Sequence, residues 1–351
     1  VPGYFHVKGS EIVDENDEPV RIAGVNWFGT ETAQLSPHGL WSKNLTEILY
    51  LIVDHGYNTI RYPYCNDIFK PGASTVSIEY YRNPWAKGLS PLEVMDVVIR
   101  EATDLGLKII LDRHRPDFQA QSALWYTSAV SEEQWISDWQ KLAKRYKDNS
   151  GVIGADLHNE PHDEACWGCD DISIDWRLAA ERCGNAIHEI NPNWLIIVEG
   201  IHHIGETCWQ CGDNYWWGGY LKKGVVDIIN KPVNLKIPNR VVYSTHDYPR
   251  EVFPQTWFDD PTFPDNMPDK WYNYWSWIKK DNIAPILVGE FGTKLEDDWD
   301  RVWLKTLVNY MKENRLHWTF WCLNENSSDT GGLITGGAWD GWHDEKDSML
   351  E

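Results

Sequence analysis

Two glutamates each sit just beyond a short apolar run. Glu160 follows Val152-Ile153-Gly154-Ala155-Asp156-Leu157, and Glu290 follows Ala284-Pro285-Ile286-Leu287-Val288. Runs this short and this apolar read as strands buried on both faces. In a barrel of parallel strands, the positions after the strand ends line the mouth, where such folds place their chemistry. Two carboxyl groups facing each other there suit cleavage of a glycosidic bond. One protonates the leaving oxygen while the other attacks the sugar or activates water, and their spacing selects between the two outcomes. A purely structural reading is weaker, because a buried carboxylate without a partner is costly.

Other strand ends carry polar residues as well. Arg61 ends the second run, Asp112-Arg113-His114 the third, His246-Asp247-Tyr248 the sixth, and Trp321 the eighth; Asn159 precedes Glu160. One polar strand end would be an ordinary exposed turn, but a set spread around the order of strands is hard to ascribe to chance. His158 and His162 have the spacing of a zinc pair, yet Pro161 prevents the helix that this spacing requires, so no metal is expected there. Arg113 and Arg115 read as partners in structural ion pairs, and Trp27 and Trp125 as doubtful members of a cleft.

The elements that must position these groups alternate in type. Strand-like runs fall at 21–26, 59–62, 108–112, 152–157, 195–199, 241–244, 285–289 and 317–321. Amphipathic helical stretches fall at 44–55, 91–105, 131–146, 175–189, 266–280 and 297–312. This order implies parallel strands joined by right-handed crossovers, and eight strands favour a closed α/β barrel over an open sheet. Residues 4–21 read as an N-terminal β-hairpin reversing at 14–17. The connection 200–239 is rich in Gly and Trp and too long to be idle, so it is expected in the cleft wall. Little chain remains after Trp321, so the final helix is expected to be short or incomplete. No linker or repeat is visible, and residues 1–351 read as one catalytic domain.

Composition narrows the function. Hydrophobic residues make up 42% of the chain and charged residues 24%, a globular balance. No apolar run approaches the ~20 residues that span a bilayer, so no membrane partner is expected. The net charge of −21, from 53 acidic and 32 basic side chains, disfavours nucleic acid but not a neutral polysaccharide. There are 22 tryptophans and 16 tyrosines. Most must be packing, but the faces of some can stack on sugar rings while their polar edges stay wet. Of seven cysteines, Cys166/Cys169 and Cys208/Cys211 form two CxxC pairs, readable as two disulfides or as one four-thiolate zinc site. Their place in loops favours disulfides. Cys65, Cys183 and Cys322 fall at apolar positions and read as small buried hydrophobes. Val1-Pro2-Gly3-Tyr4 shows no leader pattern, so if the protein is exported its signal peptide is expected to be absent from this chain, already removed.

The ordered set of motifs resembles glycoside hydrolase family 5. It comprises Arg61, Asp112-Arg113-His114-Arg115-Pro116, His158-Asn159-Glu160-Pro161, His246-Asp247-Tyr248, Gly289-Glu290-Phe291-Gly292 and Trp318 to Trp321. Asn26-Trp27-Phe28-Gly29, Gln121 to Tyr126 and Tyr215-Trp216-Trp217-Gly218-Gly219 extend it over nearly the whole chain. The resemblance implies a (β/α)8 TIM barrel and a secreted, monomeric, retaining endo-β-1,4-glucanase acting on cellulose or related β-glucans without a cofactor. It implies Glu160 as acid/base and Glu290 as nucleophile. Arg61, His114, Asn159, His246, Tyr248 and Trp321 would serve the substrate site, with Arg61 and Tyr248 also holding Glu290. Asn159 would meet the sugar 2-hydroxyl, and Trp321 would floor the cleaved sugar. Of Trp216 and Trp217, one is expected to face sugar and the other to pack. The alternatives are the same chemistry on mannan or xyloglucan, a zinc-dependent hydrolase, or a barrel that binds polysaccharide without cutting it.

Overall fold

The computed structural model describes residues 2–204 and 213–351. The chain opens with a hairpin of β1 (His6–Lys8) and β2 (Glu11–Val13), with Val7 opposite Ile12. The reversal is at Gly9-Ser10 and not at 14–17 as expected. Gly9 takes the left-handed backbone of the turn (φ +64°) without a side-chain clash. The 14–17 turn leads only to a single bridge between Val13 and Pro19.

Strand and helix then alternate: β3 (Ala23–Asn26), α1 (Leu45–Asp54), β4 (Thr59–Cys65), α2 (Pro91–Asp104), β5 (Lys108–Arg115), α3 (Glu132–Arg145), β6 (Val152–Asp156) and α4 (Trp176–His188). β7 (Leu195–Glu199) and β8 (Val241–Asp247) follow, with no helix between them among the described residues. Next come α5 (Met267–Trp271) and α6 (Trp277–Lys280), β9 (Ile286–Phe291), α7 (Asp298–Glu313) and β10 (His317–Phe320). The chain ends with the two-residue strands β11 (Ile334–Thr335) and β12 (Gly341–Trp342) and the seven-residue α8 (Asp344–Leu350). The barrel strands pair in parallel in the order β10-β3-β4-β5-β6-β7-β8-β9, and β9 closes on β10. The structure is thus the (β/α)8 barrel that the alternation implies, with a short final helix.

Local chemistry sets the helix boundaries. Asn44 and Glu47 form a reciprocal capping box on α1, and Ser90 with Glu93 does the same on α2, where Pro91 opens the helix. Each helix buries one stripe, such as Leu45, Ile48, Leu49 and Ile52 of α1. The stretch expected as one helix at 266–280 is instead α5 and α6 joined by a π-turn over Tyr272–Ser276, which buries Tyr274 and Trp275.

Inward and outward positions separate cleanly along β7. Leu195 and Ile197 pack inside the barrel, Ile196 and Val198 pack with the helices, and Glu199 returns to the inside. The lower interior is filled by Ile110, Ile153, Leu195, Ile197, Val242 and Leu287, with Val7 and Ile12 of the hairpin packed onto them. The hairpin therefore stops the barrel at its N-terminal end. The upper interior is polar.

Candidate active site

Arg61 is the centre of that polar half. It is fully buried and donates through Nη1 to Glu290 Oε2 (2.8 Å) and Asn26 Oδ1 (2.9 Å), and through Nε to Asp156 Oδ2 (3.1 Å). Its Nη2 reaches Asn159 Oδ1 (3.0 Å) and Glu199 Oε2 (3.3 Å), and Nη1 lies 3.1 Å from Asp112 Oδ2. Burial alone would lower the pKa of the guanidinium, but Asp112, Asp156, Glu290 and Glu199 outweigh it and hold it well above the ordinary value. One cation cannot neutralise four buried carboxylates. Burial pushes Asp112 up to about 7 and raises Asp156 and, strongly, Glu199, while Glu290 makes the shortest contact to Arg61.

A β-bulge aims Glu290. Along β9, Leu287 faces the interior and Val288 the helices, so strict alternation would send Glu290 outward. The pairing with β8 passes from Thr245↔Val288 to His246↔Glu290, leaving Gly289 as the extra residue. The bulge returns Glu290 to the inside. The Gly289 carbonyl accepts from Asn26 Nδ2 (3.0 Å) and Thr319 Oγ1 (2.6 Å). Tyr248 OH donates to Glu290 Oε1 at 2.6 Å.

Glu160 lies across the mouth just beyond β6, with left-handed backbone (φ +54°). Its Oε2 is 2.9 Å from His246 Nδ1. Burial pushes its carboxyl up to about 7, against the opposing effects of His162, Arg61 and a hydrogen bond from Gln121. Burial also takes His246 and His114 down to about 4, so both imidazoles are neutral near pH 7. A neutral His246 can accept the Glu160 proton at Nδ1 and donate from Nε2. His114 Nδ1 is held by Asp112 Oδ2 at 2.6 Å. One carboxylate oxygen each of Glu160 and Glu290 and a His246 nitrogen lie within 4.8 Å of one another.

Both carboxyls face a cleft of about 600 Å³ whose walls include Glu31, His114, Gln121, Trp217, Tyr248 and Trp321. Trp321 lies nearly parallel to Phe28 (5.3 Å, 8°) and to His114 (5.4 Å, 10°). Trp216 and Trp217 both line the cleft but differ in exposure. Trp217 is 39% exposed and stacks on His162 (3.8 Å, 5°), while Trp216 is 7% exposed and meets Tyr248 edge-on. The connection after β7 does contribute to the wall, through His202, His203 and residues 214–217.

Several expected site residues lie one layer lower. Arg61, Asn159 and His246 have no exposed surface. Asn159 Nδ2, the group a sugar hydroxyl would need, donates to Gln121 Oε1 at 3.0 Å. Trp27 and Trp125 are fully buried and bond to His38 O and Glu132. Arg113 and Arg115 form no ion pair among the described residues. Arg113 Nε donates to Asn66 Oδ1, and Arg115 Nη1 to Phe118 O. Cys166 and Cys169 form a disulfide, which removes their thiolates from any zinc site; Cys208 and Cys211 lie outside the described residues. Cys65, Cys183 and Cys322 are free and buried. Sequence reasoning passed over Asp156 and Glu199, although both are acids at the ends of apolar strands and so carry the same signal as the residues it selected.

Residues 13–327 match the model of the cellulase family, glycosyl hydrolase family 5. An endoglucanase from Paenibacillus polymyxa is 50% identical over all of this chain and 87% of its own length. The major extracellular endoglucanase of Xanthomonas campestris is 37% identical over 92% of this chain and 66% of its own. A solved endocellulase from Pyrococcus horikoshii in complex with cellotetraose superposes with a TM-score of 0.91 at 37% identity, covering 99% of this chain and 98% of that one.

Proposed function

The chain belongs to glycosyl hydrolase family 5, and from that membership we propose that it hydrolyses internal β-1,4-glucosidic bonds of cellulose and related β-glucans with retention of configuration. Glu290 attacks the anomeric carbon while Glu160 gives its proton to the departing glycosidic oxygen. Glu160, now ionised, draws a proton from water that releases the glycosyl-enzyme. Arg61 and Tyr248 hold and aim Glu290 by hydrogen bonds, and His246 receives the hydrogen bond of the protonated Glu160. Trp321, Trp217 and His114 meet the sugars. The cello-oligosaccharide bound by the Pyrococcus relative supports a linear β-glucan as occupant of the cleft. The extracellular relative supports secretion, and no helix among the described residues is long and apolar enough to cross a membrane.

The observation that carries the mechanism is the separation of the two carboxyls. With one oxygen of each carboxyl within 4.8 Å of the other, the pair is nearer the ~5–5.5 Å of retaining enzymes than the ~6.5–9.5 Å that admits a water between carboxyl and sugar. The test is NMR of the first product from cellotetraose. A β-anomer is expected, and an α-anomer would overturn the mechanism. Glu290→Gln should abolish turnover while leaving cellotetraose binding measurable by calorimetry.

A further inference from the structure

Glu199 ends β7 with no exposed surface, behind Glu160 and out of reach of any sugar. Its Oε1 accepts the backbone N–H of Glu160 at 2.9 Å and lies 3.2 Å from His246 Nε2, whose other nitrogen meets the Glu160 carboxyl at 2.9 Å. Its Oε2 meets Arg61 at 3.3 Å, the same guanidinium that holds Glu290. One side chain thus touches the main chain of Glu160, the imidazole that orients its carboxyl, and the cation that orients the opposite carboxylate. The clamp acts where the backbone is least willing, since Glu160 is left-handed and a non-glycine residue there is strained.

The connection after β7 is built around this contact. A Cβ on Gly218 would lie 2.6 Å from Glu199 Oε1 and 3.0 Å from Glu160 Cα, so only glycine lets the loop close over both. Gly218 N donates to Pro161 O at 3.1 Å, and its carbonyl accepts from Gly200 N at 2.8 Å. The segment carrying Trp216 and Trp217 is thereby pinned against the back of Glu160.

Resting on the assignment of Glu160 as general acid, we infer that Glu199 is a positioning residue for that acid, fixing its strained main chain while packing against His246, the imidazole that meets its carboxyl. Burial raises the Glu199 carboxyl well above its ordinary value, and its Oε1 is the acceptor that holds the Glu160 N–H.

The test compares kcat/KM on two aryl cellobiosides, one with a leaving group that needs protonation and one acidic enough to depart unaided. The ratio of the two cancels any difference in the folded fraction. Glu199→Leu should lower kcat/KM by about 100-fold on the poor leaving group and by under about tenfold on the good one, the scale of loss for a misplaced catalytic group. Glu199→Gln, which keeps an oxygen for the Glu160 N–H, should recover most of that loss. A ratio unchanged from wild type in Glu199→Leu, or a Gln variant as poor as the Leu variant, would overturn the inference. Glu160→Ala serves as the control. If it shows no leaving-group dependence, the assignment of Glu160 fails. If it does and Glu199→Leu does not, only the role of Glu199 fails.

Discussion

Replacing Glu160 with glutamine should make the protein inactive and, above neutral pH, relatively more stable. Glutamine has the shape of the protonated acid but cannot ionise. The Glu160 side chain is 15% exposed, and its burial raises the carboxyl from an ordinary 4.5 to about 7. Below pH 4.5 both folded and unfolded chains hold the proton, and the contribution to stability is complete. Between 4.5 and 7 only the folded chain holds it, so stability falls as pH rises by about 1.4 kcal/mol per pH unit, and above 7 the loss is complete. Over that interval the native protein should lose about 3 kcal/mol that the glutamine variant keeps. The other raised acids, Asp112, Asp156, Glu199, Asp247 and Asp300, are present in both proteins and largely cancel in the difference. Urea unfolding followed by tryptophan fluorescence at pH 4 and pH 8 measures it, with equal m-values as the check that only stability has changed. The stability gap between variant and wild type should move in favour of Glu160→Gln by about 3 kcal/mol from the lower to the higher pH. Activity on soluble β-glucan should fall by about 10²–10⁴-fold, the usual worth of a placed general acid. A gap that stays constant with pH would refute the argument that burial keeps this acid protonated and neutral.

The wild-type kcat/KM profile should fall on its alkaline side near pH 7, and Gln121→Leu should move that limb upward, because the Gln121 hydrogen bond favours ionised Glu160; a downward move in a pH-rate series would contradict the geometry. Trp217→Ala should raise KM for cellotetraose by about tenfold with kcat nearly intact, since its ring offers an exposed face for stacking and bonds to neither carboxyl, whereas Trp216→Ala should lower kcat by loosening Tyr248. Gly289→Ala would place a Cβ 2.9 Å from Ser244 Oγ inside the bulge. It should cost kcat at least about tenfold, with Ser244→Ala restoring part of it in a double-mutant cycle.

The barrel was legible because its signals are local and repeated: apolar runs of strand length, capped amphipathic stretches, and polar residues at the strand ends. Glu160 and Glu290 stood out for the same reason. The bulge at Gly289 was not legible, since Ile-Leu-Val-Gly-Glu-Phe reads equally well with or without an extra residue, and only the neighbouring strand defines it. Glu199 was passed over because an acid closing Leu-Ile-Ile-Val is also what an exposed turn looks like, and its burial depends on a loop folded over it. The layering of Arg61, Asn159 and His246 beneath the cleft could not be read either, because distance from a strand end does not report depth below the mouth. The reversal in the hairpin was misplaced because an Asp-Glu-Asn-Asp cluster is a stronger turn signal than Gly-Ser, although both segments do turn.

The plug formed by Val7 and Ile12 reaches further than its place at the rear of the molecule implies. By keeping water out of the lower barrel, it sets the dielectric floor on which Arg61 and its ring of acids stand. The proton inventory of the catalytic mouth is therefore governed partly from the opposite end of the chain's enclosure, where no sugar ever arrives. Substitutions there that admit solvent should read out as altered acidity and not merely as weaker folding.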